Sequence, residues 1–266
     1  MFEYDPAPLA KKARASILRM VHAAQAAHVG SCLSVVDILA TLYSLPDMTA
    51  EENGESSEVI LSKGHAAAAI YAVLAHRGYF PEEWLDRYAE DGAELGGHAT
   101  SGVPGVQFST GSLGHGLPFG LGLAMGRRLS GQAGNVYVVM SDGELNEGTT
   151  WESALLAAHH KLSNLTVLVD RNGLQSLTST ESTLALNPLP EKFEAFGWAV
   201  ANVDGHNYEE ITAEIVKASD FDKPKVLICQ TTKGKGISFM ENRVVWHYRP
   251  PDDDDLAAAL AEIEGL

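Results

Sequence analysis

From residue 135 onward, short apolar runs alternate with longer segments of helical period. NVYVVM (135–140), NLTVLVD (164–170), WAVANVD (198–204) and PKVLICQT (224–231) are of strand length and rich in β-branched residues. Between them lie NEGTTWESALLAAHHKL (146–162), PEKFEAFG (190–197) and YEEITAEIVKASD (208–220), which predict helices. Upstream, EVILS (58–62) predicts a further strand that turns straight into a helix over KGHAAAAIYAVLAHRGY (63–79). Residues 8–27 and SVVDILATLYSL (34–45) predict two more helices, the second with Ser34 as N-cap. The glycine-rich stretch 92–122 reads first as loop and then as a helix whose small residues permit close packing. At the other end, the acidic run Asp252–Asp255 reads as the solvated start of a helix in DLAAALAEIEGL. Near-continuous apolar strands alternating with helices predict an α/β fold: a doubly wound parallel sheet with helices on both faces. With no internal repeat and no linker, residues 1–266 read as a single domain.

Composition narrows the function classes. A chain of 266 residues, 45% apolar, can bury a substantial core. A formal net charge of -16 argues against nucleic acid and anionic membranes as partners. No stretch of about 20 apolar residues is present to span a bilayer, and the N-terminus lacks the apolar core of a signal peptide. Cys32 and Cys229 are far apart and form no metal-binding pattern, so they read as buried thiols of a reducing compartment. The expected location is cytoplasmic.

In parallel α/β sheets, ligands bind beyond the carboxyl ends of the strands. Here those ends carry Gly64-His65, Asp142-Gly143 and Arg171-Asn172-Gly173. Asp142 either caps the segment that follows it or holds something charged. The chain has no G-x-x-x-x-G-K-[ST] after a strand, and GSLGHG (111–116) does not follow a convincing strand, so a nucleotide-binding reading is weak. A magnesium ion fits better. Asp142 offers a carboxylate, and Asn172 a neutral oxygen at the same sheet edge after the next strand. The Leu174 carbonyl can supply a third oxygen, with diphosphate oxygens and water completing the shell. Gly143 lets a phosphate approach the backbone, and the helix opening near Glu147 offers amide donors.

These residues resemble a known family. SDGELNEGTTWESALLAAHHKLSNLTVLVDRNGLQ is similar to the thiamine diphosphate motif, G-D-G followed one strand–helix–strand unit later by Asn. HVGSCLS, LSKGHAA, GGH, STGSLGHG, SDGELNEG, DRNG, TTKGKGISFME and WH occur in the order of the N-terminal, diphosphate-binding half of transketolase, over nearly all of residues 15–250. The resemblance implies Asp142, Asn172 and the Leu174 carbonyl as ligands of Mg²⁺ or another divalent cation. It implies Ser31, His65, Gly111, Ser112, Leu113, Gly143, Asn172, Lys233 and His247 on the cofactor side. His28, His98 and His247 are implied as the histidines that face a sugar substrate and move its hydroxyl protons.

The implied reaction is transfer of a two-carbon ketol unit from a ketose, such as a sugar phosphate, to an aldehyde. The glutamate that activates the cofactor's aminopyrimidine belongs to a second domain in this family. It is therefore expected from a C-terminal transketolase-like subunit, in an α₂β₂ assembly. Two positions depart from the pattern: Ser141 replaces the first glycine of G-D-G, and His115 stands where the family has glutamine. Two other readings stay open on the residues alone. One is the α subunit of a two-subunit 2-oxoacid dehydrogenase, and the other a cofactor-binding subunit without turnover.

Overall fold

The computed structural model describes residues 3–48, 56–217 and 222–265. Five strands form one all-parallel sheet in the order β1-β2-β3-β5-β4. They are β1 (Glu58–Leu61), β2 (Val136–Ser141), β3 (Leu165–Arg171), β4 (Ala199–Asp204) and β5 (Lys225–Gln230). Nine helices among the described residues surround them: α1 (Pro6–Ala23), α2 (Val29–Leu42), α3 (Ala67–His76), α4 (Gly116–Ser130), α5 (Gly148–His159), α6 (Thr180–Thr183), α7 (Leu189–Ala195), α8 (Tyr208–Val216) and α9 (Asp253–Glu264). The end of the helix predicted over 208–220 lies outside the described residues.

Successive residues of a strand face opposite sides of the sheet, and the core divides accordingly. Val59, Leu61, Tyr137, Val139, Leu168 and Leu227 join α1, α2 and α3 in one cluster. Ile60, Val138, Met140, Val167, Val169 and Ile228 join α4, α5 and α7 in another. The sheet is thus wound on both faces, as the alternation predicts. β2 and β3 are buried along almost their whole length, which is why they read as unbroken apolar runs. Helix α4 lies close on the sheet because Gly120 has no side chain: a Cβ there would stand 2.5 Å from Val138 Cγ2.

The helix starts follow local chemistry. Asp5 caps α1, accepting from Ala7 N–H at 3.0 Å, with Pro6 at the first position. Asp252 and Asp255 form a reciprocal capping box on α9. The start of α2 corrects the expectation drawn from Ser34. The helix begins at Val29, after His28 with φ 77, and Ser34 lies in its middle. All fourteen residues of α2 are buried, so no amphipathic phase marks its ends. Its serine is a core polar group, and the hydroxyl donates to Ser31 O at 3.1 Å and Asp170 Oδ2 at 2.5 Å. Cys32 and Cys229 are free and buried, and burial pushes the Cys32 thiol up to about 12.

Candidate active site

The carboxyl ends of β1, β2, β3 and β5 open into one cleft of about 290 Å³. β1 delivers Lys63 and His65, β2 delivers Ser141, Asp142 and Gly143, and β3 leads into Asn172 and Leu174. Lys233 enters from the loop after β5, Ser31 from the first turn of α2, and His28 from just before it. The long loop before α4 contributes His98, Gly111 and Leu113, and a 3-10 turn near the C-terminus contributes His247. The structure therefore brings together every residue predicted for the site except Ser112. That residue is exposed on the same loop and does not line the cleft. Nor does the amino end of α5: Glu147 is exposed, and the turn after Asp142 is a short 3-10 segment, Gly143–Asn146.

Four imidazoles gather at the mouth. The ring of His28 stands 5.1 Å from that of His65, 6.0 Å from His98 and 5.0 Å from His247. The left-handed backbone of His28, costly for a non-glycine residue, is held by its N–H donating to His247 O at 2.7 Å. Burial first, then the His98, Lys233 and Lys63 charges, hold His28 down to about 4. Burial and Lys233 hold His247 down to about 3. Burial and Lys63 likewise hold His65 well below its ordinary value. These three rings are neutral near pH 7. Lys233 Nζ donates to His247 Nδ1 at 3.0 Å, which leaves the ring proton on Nε2.

Asp142 caps the turn that follows it and lines the cleft. Its Oδ1 accepts from Gly143 N–H at 2.8 Å, closing the 3-10 turn. Its Oδ2 accepts from Gly173 N–H at 2.7 Å and faces Arg171 Nη1 at 3.3 Å. Burial and the neighbouring Asp170 push the carboxyl up to about 6 despite these donors. A buried carboxylate that is undercompensated in this way favours a cation beside it. Among the described residues, no three His, Cys, Asp or Glu side chains converge on a metal-sized site. Asp142, Asn172 and Leu174 all line the cleft, and a carboxylate with neutral amide and chain oxygens is a donor chemistry that could hold a hard cation completed by ligand phosphates rather than a closed protein cage. Lys233, buried and held down to about 8 by burial and Lys63, adds positive charge for such phosphates.

Sequence reading missed Lys63, Gln175, Ser176 and Tyr248, which also line the cleft. Lys63 is wholly buried, with Nζ 2.5 Å from Asp170 Oδ2 and 3.2 Å from Ser31 O. Its one sequence signal was a lysine directly after a buried strand, within LSKGHAA. Glu144 was missed as well. This fully buried carboxylate accepts from the Ser62 hydroxyl and from Gly114 N–H at 2.8 Å, tying the β1, β2 and α4 loops together. Of the two departures, Ser141 is accommodated: its hydroxyl accepts from Glu144 N–H at 3.3 Å. His115 is exposed and does not line the cleft, its Nδ1 lying 3.1 Å from Leu113 O.

Comparisons with known proteins agree with this architecture. The family model "Transketolase, thiamine diphosphate binding domain" matches residues 7–264. One of the subunits of the apulose-4-phosphate transketolase of Actinobacillus succinogenes is 40% identical, over 96% of each chain. The 6-deoxy-6-sulfo-D-fructose transketolase subunit of a Clostridium species is 37% identical, over 89% of this chain and 88% of that one. The solved transketolase of Leishmania mexicana superposes with a TM-score of 0.90 at 27% identity over 98% of this chain. The present chain spans only 41% of the length of that structure. The chain belongs to the transketolase family, in which it is a thiamine diphosphate-binding domain of transketolase type.

Proposed function

We propose that this chain is the diphosphate-holding subunit of a two-chain transketolase, one that moves a two-carbon ketol unit from a ketose to an aldehyde. The observation that carries the reading is the convergence of four histidine rings with Asp142 and Asn172 in one cleft. Residues 1–266 act as one domain. Asp142, Asn172 and the Leu174 carbonyl hold Mg²⁺ or a similar cation, while Gly143, His65, Lys233 and Ser31 surround the diphosphate. Gly111 and Leu113 line the body of the cofactor, and Ser112, outside the cleft, has no direct role. Bound thiamine diphosphate supplies the nucleophilic carbon and the electron sink for carbon–carbon cleavage. His28, His98 and His247 orient the ketose and exchange its hydroxyl protons, with the neutral His28 ring as a base and the Nε2–H of His247 as a donor.

The named relatives act on a sugar phosphate and a sulfonated sugar. The shared feature, a ketose with a terminal tetrahedral anion, is the substrate class we assign. Both relatives are transketolases, which disfavours the 2-oxoacid dehydrogenase reading. A partner is implied because the Actinobacillus relative, covered over 96% of its length, is itself named as one subunit of its enzyme. An unpartnered apolar strip is consistent with it. Gly122, Gly126 and Leu129 share one exposed side of α4, with Leu129 85% exposed, and Leu155 of α5 is 54% exposed.

Two outcomes test the assignment. Cofactor binding should require a divalent metal: calorimetry should show strong binding with Mg²⁺ and little with EDTA, and Asp142→Ala should weaken it at least about 100-fold, the cost of losing one charged ligand contact. Equal affinity in both buffers would remove the metal bridge. His98→Ala should keep cofactor affinity and lose turnover, whereas His65→Ala should weaken the cofactor itself. Equal loss of cofactor in both variants would show that the two histidines are not divided between substrate and cofactor.

A further inference from the structure

We infer that Asp37, acting through His206 and Arg14, is a positioning device for Lys233. The inference rests on the proposed contact of Lys233 with the diphosphate. None of the three residues lines the active cleft; they lie on a separate groove at the back of the loop that carries Lys233.

Lys233 sits in TTKGKG, followed at once by Gly234 at φ +81 and then by Gly236 at φ +92. A loop with two left-handed glycines has many unfolded conformations to lose, and backbone bonds such as Gly234 N–H to Gly30 O at 3.0 Å and Asn242 N–H to Lys233 O at 2.9 Å hold part of it. Two anchors bracket the lysine. On one side, Thr232 N–H donates to His206 Nε2 at 2.9 Å. On the other, Lys235 O accepts from Arg14 Nε at 3.3 Å.

Both anchors converge on one buried carboxylate. Asp37 Oδ2 accepts from Arg14 Nη2 at 2.5 Å and from His206 Nδ1 at 2.7 Å, and Oδ1 accepts from Tyr208 O–H at 3.0 Å. Asp37 is 2% exposed. The tautomer follows from the partners. A backbone amide can only donate, so His206 Nε2 must be the acceptor and the ring proton must lie on Nδ1, facing Asp37. Asp37 selects that tautomer and holds the ring plane, so the Thr232 amide is met by a lone pair. The lysine between the anchors is thereby aimed so that its Nζ lies 3.0 Å from His247 Nδ1. A purely structural role would need the same acceptor at Nε2, but its loss would cost cofactor binding equally with and without the Lys233 side chain.

That difference sets the test. Asp37→Ala strands the Arg14 guanidinium in the interior and is a poor probe, because it endangers folding. His206 variants leave Asp37 paired to Arg14 and Tyr208. Glutamine places an acceptor near the Nε2 position, asparagine only a group near Nδ1, and alanine neither. We expect Mg²⁺–thiamine diphosphate, titrated into the full chain well below each variant's unfolding midpoint, to bind His206→Gln within about threefold of wild type. His206→Asn and His206→Ala should lose about tenfold, the effect of one charge-supporting hydrogen bond. In a Lys233→Ala background the same His206 changes should add little, because the positioned group is gone. Losses that ignore the glutamine–asparagine difference, or that persist undiminished without Lys233, overturn the inference while leaving the site assignment intact. If Lys233→Ala alone binds as wild type, the diphosphate role of Lys233 falls, and the inference falls with it.

Discussion

Asp170→Ala should cost about 3–5 kcal/mol of folding stability, the range for removing one partner of a buried ion pair. Asp170 is 0% exposed, as is Lys63, whose Nζ lies 2.5 Å away. The carboxylate also accepts from the hydroxyls of Ser34 and Thr231, and so joins α2, β1, β3 and the segment after β5. Burial alone would raise the Asp170 carboxyl; Lys63 and the hydroxyls overcome it and hold the group below the ordinary carboxylate range. Truncation leaves the buried lysine charge at the cleft without its counter-ion. A double variant, Lys63→Met with Asp170→Asn, removes both charges and keeps groups for the two hydroxyls, so it should recover more than half of the loss. Urea unfolding midpoints for the three proteins decide the matter. A double variant no more stable than Asp170→Ala would mean that the stranded lysine charge is not what carries the cost.

This pair also marks where sequence reading stops. β2, β3 and β5 were legible because strands of a covered parallel sheet must be apolar on both faces. The site motifs were legible because they sit at strand ends, where a parallel sheet places its ligands. Lys63 was not legible as a buried charge, because its partner is on β3, beyond β2 in the sheet. Only the strand order and register bring their ends together. The start of α2 was misplaced for a related reason. Serine is the commoner cap, but the actual start depends on His28 being held at φ 77 by a carbonyl from the far end of the chain. The Asp37 network joins residues 14, 37, 206 and 232, four segments whose meeting no local pattern encodes.

The chain should show no measurable ketol transfer by itself, even with Mg²⁺ and thiamine diphosphate in excess. The cleft assembled here offers partners for an anionic, metal-bound end: Asp142, Asn172 and Lys233, with His65 beside them. The buried acids near it are already committed. Asp170 is paired with Lys63, and Glu144 is bonded to Ser62 and Gly114. On the proposed reading, the proton-transferring glutamate for the other end of the cofactor is supplied by the complementary subunit. Positioned proton transfer is worth roughly 10²–10⁴-fold in rate, so adding the complementary subunit should raise turnover by at least that factor. Because each site would take groups from both kinds of chain, two copies of each related by a two-fold axis is the arrangement expected, and native mass measurement of the mixture should give an α₂β₂ mass. The glycine strip of α4 supplies a local check. Gly126→Trp, on an exposed side of the helix with nothing within 4 Å of its Cβ direction, should leave the isolated chain folded but abolish the assembly and the turnover together. Full activity from the unpartnered chain would place the activating acid within these residues, and the split-enzyme reading would be wrong.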